Sequence, residues 1–503
     1  MRGKDQGCTL SRKAFGGAIL ASMSTRLEST PPLALEPDAM RAMGHRVVEL
    51  LVESLSDTDR PALRRASAAE MAARLPFGAP ESATDFDELL ARLQRDVVPY
   101  TGRSDHPGYM AFIPTCGTFA SALGDFIASA LNVYAGSWME GAGASRVELV
   151  VLDWFKHWIG YPREAAGLLV SGGSAANMTA LACAREALLG PMDHRAVVYM
   201  GDQGHSSIAR AARVLGFRPD QVRVLRSDGD QRLQPERIAS AIRADVAAGR
   251  RPLLVAAAAG ATNTGAIDPL AGLATVCREH GVWLHVDAAY GGFAALSERG
   301  RRALAGLELS DSVTLDPHKW LYQPVGCGCL LVREGRLLEQ AFAVTAPYLA
   351  DAARHDGEVN FGDLGVEQSR PFRALRIWLS VSFFGVGAFR DAIDRALDLA
   401  ELARRRVAEL PALEMIAPGE LGITCFRRRT AGGDEQAARV NAALIASWEA
   451  TGCGLVSSTR LGGRYAVRLC ALNNTTSAAD VVRVLDFFAA TSVVPRSVRA
   501  AQC

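Results

Sequence analysis

Between about residues 165 and 335 the sequence alternates short apolar runs with stretches of helical periodicity. The apolar runs are AGLLVS, RAVVYM, PLLVAAAA, VWLHVDAA, SVTLD and GCLLVR. Strands that are apolar on both faces and separated by helices are typical of a buried, mostly parallel sheet with helices on both sides. The sequence therefore predicts an α/β fold for this region.

The flanking segments predict three further parts of the chain. Residues 1–37 end in a proline-rich stretch, and we expect them to form a disordered tail. Residues 38–110 have helical periodicity but too little apolar sequence for a core of their own, which predicts an arm that packs on a second copy of the chain. We place the large α/β domain at 111–385 and a small C-terminal α+β domain at 386–503.

Composition excludes several classes of partner. Lys and Arg together number 55 and Asp and Glu 54, so the charge favours neither nucleic acid nor an anionic membrane. No run of about 20 apolar residues is present, and we expect no transmembrane helix. The ten cysteines lack paired CxxC spacing, which favours reduced thiols in the cytoplasm and no metal site.

The first predicted strand runs into a glycine-rich turn, SGGSAANMTAL, that opens a helix. Backbone N–H groups at a helix start bind phosphate, and Gly172 and Gly173 would allow its close approach. The Ser174 hydroxyl adds a donor. The turn is neither a Walker A loop nor GxGxxG, so by itself it is equally compatible with a plain strand-to-helix connection.

Reactive side chains follow three other predicted strands. His205 opens a helix in GDQGHSSIARAA, Asp287 follows VWLHV, and Lys319 ends SVTLDPHKW. A buried carboxylate needs a cation beside it, and a desolvated lysine has a lowered pKa that makes it a nucleophile. A lone histidine is also consistent with a purely structural role. Ligands of open α/β sheets bind at the carboxyl ends of the strands, so we expect these groups to meet.

One cofactor, pyridoxal 5'-phosphate, uses all four of these features. Its phosphate needs anion donors, its pyridinium nitrogen needs an acid, and its aldehyde needs a lysine amine. The sequence therefore predicts a pyridoxal-phosphate enzyme in which Lys319 is the nucleophile.

The chain as a whole resembles the group II pyridoxal-phosphate-dependent amino-acid decarboxylases, most closely the aromatic-L-amino-acid branch. The resemblance extends over about residues 36–485. It is carried by HPGYMAFIPT, SGGSAANMTAL, DQGHSS, ATNTGAIDPL, WLHVDAAYGG, DPHKW and SRPFRALRIWL. It implies the type I pyridoxal-enzyme (aspartate-aminotransferase-like) fold and an obligate homodimer.

The resemblance also implies a role for each matching residue. Lys319 forms the Schiff base, Asp287 pairs with the pyridinium nitrogen, and His205 stacks on the ring; these are the implied catalytic residues. The other implied cofactor-binding residues are Gly173, Ser174, Thr262, Ala289 and His318. The implied substrate-side positions, which in this family can come from the partner subunit, are Thr115 and Trp138.

The implied reaction is decarboxylation of an L-amino acid, preferably aromatic, to the amine and CO2 through an external aldimine and a quinonoid. In the aromatic branch a tyrosine on a loop protonates the carbon that has lost its carboxylate. Counted back from SRPF, with one gap, the matching position here is Phe361, which has no proton to donate.

Phe361 opens an alternative. In aldehyde-forming relatives a phenylalanine at this position accompanies oxidative deamination, and the chain would then be an aromatic aldehyde synthase. Protonation by His205 or by water would keep the amine as product. A catalytically silent binding protein and other pyridoxal chemistry, such as transamination, are further hypotheses, although Lys319, Asp287 and His205 are all present.

Overall fold

The computed structural model describes residues 33–57, 59–113, 115–190, 192–344, 347 and 355–492. Most of the predicted tail at 1–37 and the segment 348–354 lie outside these ranges. The chain forms two compact units, one within Met1–Asp59 and Ala66–Pro99 and the other from Arg60–Arg65 and Tyr100–Cys503. Within the described ranges no helix has both the length and the apolarity needed to cross a bilayer.

The first unit is helical. Its helices are α1 (Pro37–Ser56), α2 (Ala68–Arg74) and α3 (Phe86–Asp96). Helix α2 begins with a capping box, in which the side chains of Ser67 and Glu70 each accept from the backbone N–H of the other residue. Helix α3 begins at Asp85, whose carboxylate accepts from the first-turn amides.

The second unit contains a sheet of seven strands in the order β1-β7-β6-β5-β4-β2-β3. The strands are β1 (Ala166–Val170), β2 (Ala196–Gly201), β3 (Val222–Leu225), β4 (Arg251–Ala258), β5 (Trp283–Asp287), β6 (Ser312–Leu315) and β7 (Gly328–Val332). The pairs among β2 to β6 are parallel, and β7 is antiparallel to both of its neighbours. Six of the seven strands coincide with the predicted apolar runs.

Strand β3 is the one that the apolar pattern does not predict. It lies at the edge of the sheet, and its four residues, VRVL, are partly buried or exposed. An edge strand packs against less of the core, so its sequence need not be continuously apolar.

Helices precede, connect and follow the strands of this sheet. They are α4 (Phe119–Ala130), α5 (Trp138–Ile159), α6 (Gly173–Leu188), α7 (Ser206–Val214), α8 (Pro235–Ala247), α9 (Leu270–His280), α10 (Glu298–Ala303) and α11 (Arg336–Phe342). Helices α6 and α7 begin close behind the carboxyl ends of β1 and β2. The first turns of both helices therefore lie beside the strand ends, where α/β sheets bind their ligands.

A second sheet has four antiparallel strands in the order β10-β11-β9-β8. These are β8 (Leu413–Met415), β9 (Ile423–Arg428), β10 (Ser457–Leu461) and β11 (Arg464–Cys470), accompanied by α12 (Ala374–Glu409), α13 (Asp434–Ala450) and α14 (Ala478–Ala490). A separate apolar core that includes Phe426, Trp448 and Phe488 fills the space between these elements. Helix α12 crosses the predicted domain boundary at 385, where Gly385 interrupts it with a φ of 74°.

Candidate active site

A cavity of about 310 Å³ opens where β1, β2, β4, β5 and β6 end. Eight residues that the sequence predicts to bind a cofactor line it: Gly173, Ser174, His205, Thr262, Asp287, Ala289, His318 and Lys319. They come from five separate strand ends and are brought together by the parallel sheet. Asn177, Tyr290 and Asp316 also line the cavity.

The glycine-rich turn supplies an anion-binding helix start. Helix α6 begins at Gly173, and its N-cap residue Gly172 provides no side-chain cap. The amides of Ala175 and Ala176 donate to the Gly172 carbonyl, so those of Gly173 and Ser174 are the ones available for an anionic ligand. A Cβ on Gly173 would lie 2.9 Å from Asp316 Oδ2 and 3.1 Å from the Ala289 side chain. Only glycine fits there without displacing these neighbours, so the turn keeps room for a phosphate beside the helix start.

Asp287 ends β5 and faces the cavity without a cation from the protein. Its Oδ2 accepts from Asn177 Nδ2 at 2.8 Å, and its Oδ1 accepts from the amide of Ala289 at 3.2 Å. Within the described ranges no Lys, Arg or His side chain forms an ion pair with this carboxylate. A partly buried carboxylate of this kind fits a ligand that brings its own positive charge, as a pyridinium nitrogen does.

Lys319 lies in the turn after β6, where its Nζ is 2.9 Å from Asp316 Oδ2. The sequence predicted a desolvated amine, and the Lys319 side chain is 21% exposed; its pairing with a carboxylate was not predicted. Asp316 itself is buried, and its Oδ1 has no hydrogen-bond partner among the described atoms. The reason is the turn DPHK, which places an acid and the lysine three residues apart on one side.

His318 and Thr115 hold this turn in place. His318 Nδ1 donates to the carbonyl of Cys327 at 2.6 Å, which fixes the orientation of its ring. The Thr115 hydroxyl donates to the carbonyl of His318 at 2.8 Å. Thr115 therefore contacts the backbone beside Lys319 and does not line the cavity of its own chain.

Trp138 also lies outside the lining of this cavity. It is the first residue of α5, and its backbone N–H donates to Asn360 Oδ1 at 2.8 Å. A contribution of Thr115 or Trp138 to substrate binding stays a prediction, which concerns the partner subunit.

Phe361 lies away from the cavity. It begins a short 3-10 helix, Phe361–Asp363, its side chain is fully buried, and the Arg370 guanidinium lies 5.0 Å over its ring. Arg370 is in turn paired with the buried Glu148 at 2.6 Å. The ring is therefore a packing residue of its own chain, and its assignment as a substrate residue stays a prediction.

Arg468 on β11 is a buried residue that the sequence analysis missed. Its Nε donates to the carbonyl of Thr262 at 2.8 Å, and its Nη1 donates to the carbonyl of Phe112. The guanidinium thus ties the cavity residue Thr262 to a strand of the second sheet. No sequence signal links Arg468 to the site, because the two residues are about 200 positions apart.

Comparisons with known proteins agree with this geometry. Residues 69–429 match the family model described as the pyridoxal-dependent decarboxylase conserved domain. An aromatic-L-amino-acid decarboxylase of Bacillus atrophaeus is 38% identical over 457 residues, which cover 90% of this chain and 95% of the relative. The chain belongs to the pyridoxal-dependent decarboxylases.

This decarboxylase also resembles solved structures closely. The Oryza sativa TDC structure with PLP and tryptamine has a TM-score of 0.87 and 29% identity, and covers 92% of this chain and 98% of that one. A Rhodiola rosea 4-hydroxyphenylacetaldehyde synthase has a TM-score of 0.84 and 25% identity, with 90% and 98% covered. The predicted family, fold and cofactor are thereby confirmed. These two neighbours are a decarboxylase and an aldehyde synthase, so the fold is common to both activities.

Proposed function

We propose that this carboxy-lyase decarboxylates an aromatic L-amino acid to the corresponding amine and CO2. Relatives named as tryptophan decarboxylases of Camptotheca acuminata and Oryza sativa are each 30% identical and match 86% of the chain. The observation that carries the proposal is the single cavity containing Lys319, the cation-free Asp287 and the uncapped start of α6.

Each group has one task. The uncapped amides of α6 hold the phosphate, Asp287 holds the proton of the pyridine nitrogen, and Lys319 supplies the amine that binds the aldehyde. When bound, the cofactor supplies an electron sink for the electron pair left by departing CO2. The imidazole of His205 lines the same cavity and would face the reacting carbon.

The amine is proposed as the product because the argument for an aldehyde depended on Phe361. That residue is packed under Arg370 within its own chain, and relatives that match most of the chain are named as decarboxylases. Between residues 348 and 372 the sequence contains a single tyrosine, Tyr348, which lies outside the described residues. Tyr348 precedes the loop position that the resemblance implies, so we assign the proton donation to His205 or to water.

One experiment separates the two products. Holoenzyme is incubated with L-tryptophan, L-tyrosine, L-phenylalanine and L-glutamate, and CO2, amine and peroxide are measured in the same sample. We expect CO2 and amine in equal amounts from at least one aromatic substrate, with none from glutamate. Peroxide equal to CO2 would identify an aldehyde synthase instead.

A homodimer is proposed from an exposed apolar surface on α4 and α12. Helices α4 and α12 pack together, and the solvent-facing side of the pair exposes Phe126 (60%), Leu131 (70%) and Phe383 (73%). Exposed aromatic and aliphatic side chains in this number mark a protein interface. Light scattering should give twice the chain mass of 53.6 kDa for the wild type and a lower mass for Phe126→Glu/Phe383→Glu.

A cytoplasmic location is proposed from the thiols. The eight cysteines within the described ranges are all free, six of them buried, and none forms a disulfide there. Free buried thiols suit a reducing compartment. Fractionation of the native source should find the activity with cytoplasmic markers; recovery in an exported fraction would contradict this.

A further inference from the structure

A chain of buried hydrogen bonds lies behind the cavity and converges on the amide of Asn177, which the sequence analysis did not single out. Asn177 Nδ2 is 2.8 Å from Asp287 Oδ2 and also 2.8 Å from Ser207 Oγ. Asn177 Oδ1 is 2.9 Å from His285 Nε2 and 2.7 Å from Thr314 Oγ1. Asn177 is 1% exposed, so its four contacts satisfy the whole amide without water.

The direction of these hydrogen bonds follows from Asp287. An ionised carboxylate only accepts, so Asn177 must turn its amide nitrogen towards Asp287 and its oxygen away. Both groups at the Asn177 oxygen then have to donate to it. His285 accordingly carries its proton on Nε2, which leaves Nδ1 as an acceptor.

The hydrogen bonds on the Nδ1 side of His285 agree with a proton on Nε2. Ser312 Oγ lies 2.8 Å from His285 Nδ1 and 2.8 Å from Trp283 Nε1. The indole can only donate, so Ser312 accepts from Trp283 and directs its own proton to His285 Nδ1. Burial lowers the pKa of His285 to about 4, so the ring is neutral at pH 7, as one donor and one acceptor nitrogen require.

The other branch leads to His205. Because Asn177 donates to Ser207 Oγ, the Ser207 hydroxyl proton points to His205 Nδ1, at 2.7 Å. The backbone N–H of Ser207 points at the same nitrogen, at 3.3 Å. Nδ1 of His205 is thus an acceptor, and the ring proton is on Nε2, the nitrogen that has no protein partner among the described residues.

We propose that Asn177 is a positioning residue that couples Asp287 to His205. The Asp287 carboxylate fixes the orientation of the Asn177 amide. The amide in turn fixes the direction of the Ser207 hydroxyl proton, so that His205 presents an Nε2–H donor at the cavity. The catalytic value of this donor, which would face the substrate carboxylate, rests on the proposed function. The coupling itself is a property of the chain and exists without cofactor.

The test reads the tautomers directly. Protein without cofactor is labelled with ¹⁵N-histidine, and the ring nitrogens of the nine histidines are observed by NMR, with His205→Asn and His285→Gln used for assignment. In the wild type we expect both His205 and His285 to be Nε2–H tautomers. In Asn177→Leu and in Ser207→Ala we expect His205 to become a mixture of tautomers, and the double variant should equal Ser207→Ala.

A second readout uses the holoenzyme. Asn177→Leu and Ser207→Ala should each lower kcat about tenfold with little change in KM, a fraction of what a positioned proton donor contributes. Thr314→Val is the matched control, because it removes one donor to the Asn177 oxygen and leaves the branch to His205 intact. We expect it to keep the wild-type tautomer of His205.

Two results would overturn the coupling. One is a folded Asn177→Leu variant in which His205 remains wholly Nε2–H and kcat stays within about twofold of the wild type. The other, decisive even if Asn177→Leu fails to fold, is an unchanged His205 tautomer in Ser207→Ala. Neither result touches the proposed reaction, which fails separately if wild-type holoenzyme releases no CO2.

Discussion

Lys319 Nζ lies 2.9 Å from Asp316 Oδ2, and Asp316 is almost fully buried while the lysine is partly exposed to the cavity. The pair joins the amine that we propose to bind the cofactor to the carboxylate beneath the glycine-rich turn. In the protein without cofactor, the Asp316 carboxylate holds the Lys319 amine in the cavity. If the amine binds the cofactor, the buried Asp316 loses this partner.

This pair should show measurable coupling energy in the protein without cofactor. Asp316→Asn removes the charge but keeps the shape, and we expect it to lower the free energy of unfolding by about 2 kcal/mol, below the range for fully buried pairs. Urea denaturation of Asp316→Asn, Lys319→Met and the double variant forms a thermodynamic cycle. A coupling energy near zero would show that the ion pair contributes nothing to the fold.

Phe361→Tyr should destabilise the protein without changing its product. The added hydroxyl would have to be enclosed in the packed interior beside Arg370, which lowers the free energy of unfolding by about 1–3 kcal/mol. We expect a lower midpoint of urea denaturation and an unchanged ratio of amine to peroxide. A product change in Phe361→Tyr alone would restore the sequence-based assignment of that position.

Burial of His285 predicts a pH dependence of stability. Its pKa is lowered to about 4 in the fold, against about 6.5 in the unfolded chain. Above pH 6.5 both states are neutral and His285 has no effect. As pH falls from 6.5 to 4 the unfolded state takes up the proton first, so stability decreases, by up to about 3 kcal/mol.

His285→Gln should therefore lose less stability than the wild type between pH 7 and pH 4.5, measured by urea denaturation. His157→Gln, on an exposed position of α5, is the control and should follow the wild-type curve. Equal slopes for the wild type and His285→Gln would contradict the burial argument.

Arg468 should be required for cofactor binding although it does not line the cavity. Arg468→Met leaves the carbonyls of Thr262 and Phe112 without a donor, and we expect the dissociation constant for pyridoxal phosphate to rise about tenfold, with a lower thermal midpoint. Arg464→Met on the same strand is the matched control, since its contact with Glu414 is near the surface. An equal rise in the dissociation constant in both variants would show that Arg468 has no particular role in cofactor binding.

The sequence predicted the sheet and the residues that line the cavity because both depend on local patterns. Buried strands are continuously apolar, and the reactive residues follow directly at their ends, as Asp287 follows β5 and Lys319 follows β6. The antiparallel direction of β7 and its place between β1 and β6 are set by chain crossovers, which leave no periodic signal in the residues themselves.

The sequence failed where the site depends on distant contacts. Asn177 and Arg468 contact partners that are up to 356 positions away in sequence, and a buried polar residue in a helix or strand looks like any other polar residue in sequence. The surroundings of Lys319 were predicted from its apolar neighbours, but the structure pairs it with an acid three residues earlier. Phe361 was assigned by counting along the sequence, and its burial within its own chain is a tertiary property that counting does not reveal.

The most direct test of the account is covalent trapping of the cofactor on the holoenzyme. Borohydride reduction followed by peptide mass spectrometry should place the pyridoxyl group on Lys319, and Lys319→Ala should carry no label and release no CO2 from the aromatic substrate of the wild type. Label on another lysine, or CO2 release by Lys319→Ala at the wild-type rate, would contradict the central claim that Lys319 is the residue that binds the cofactor.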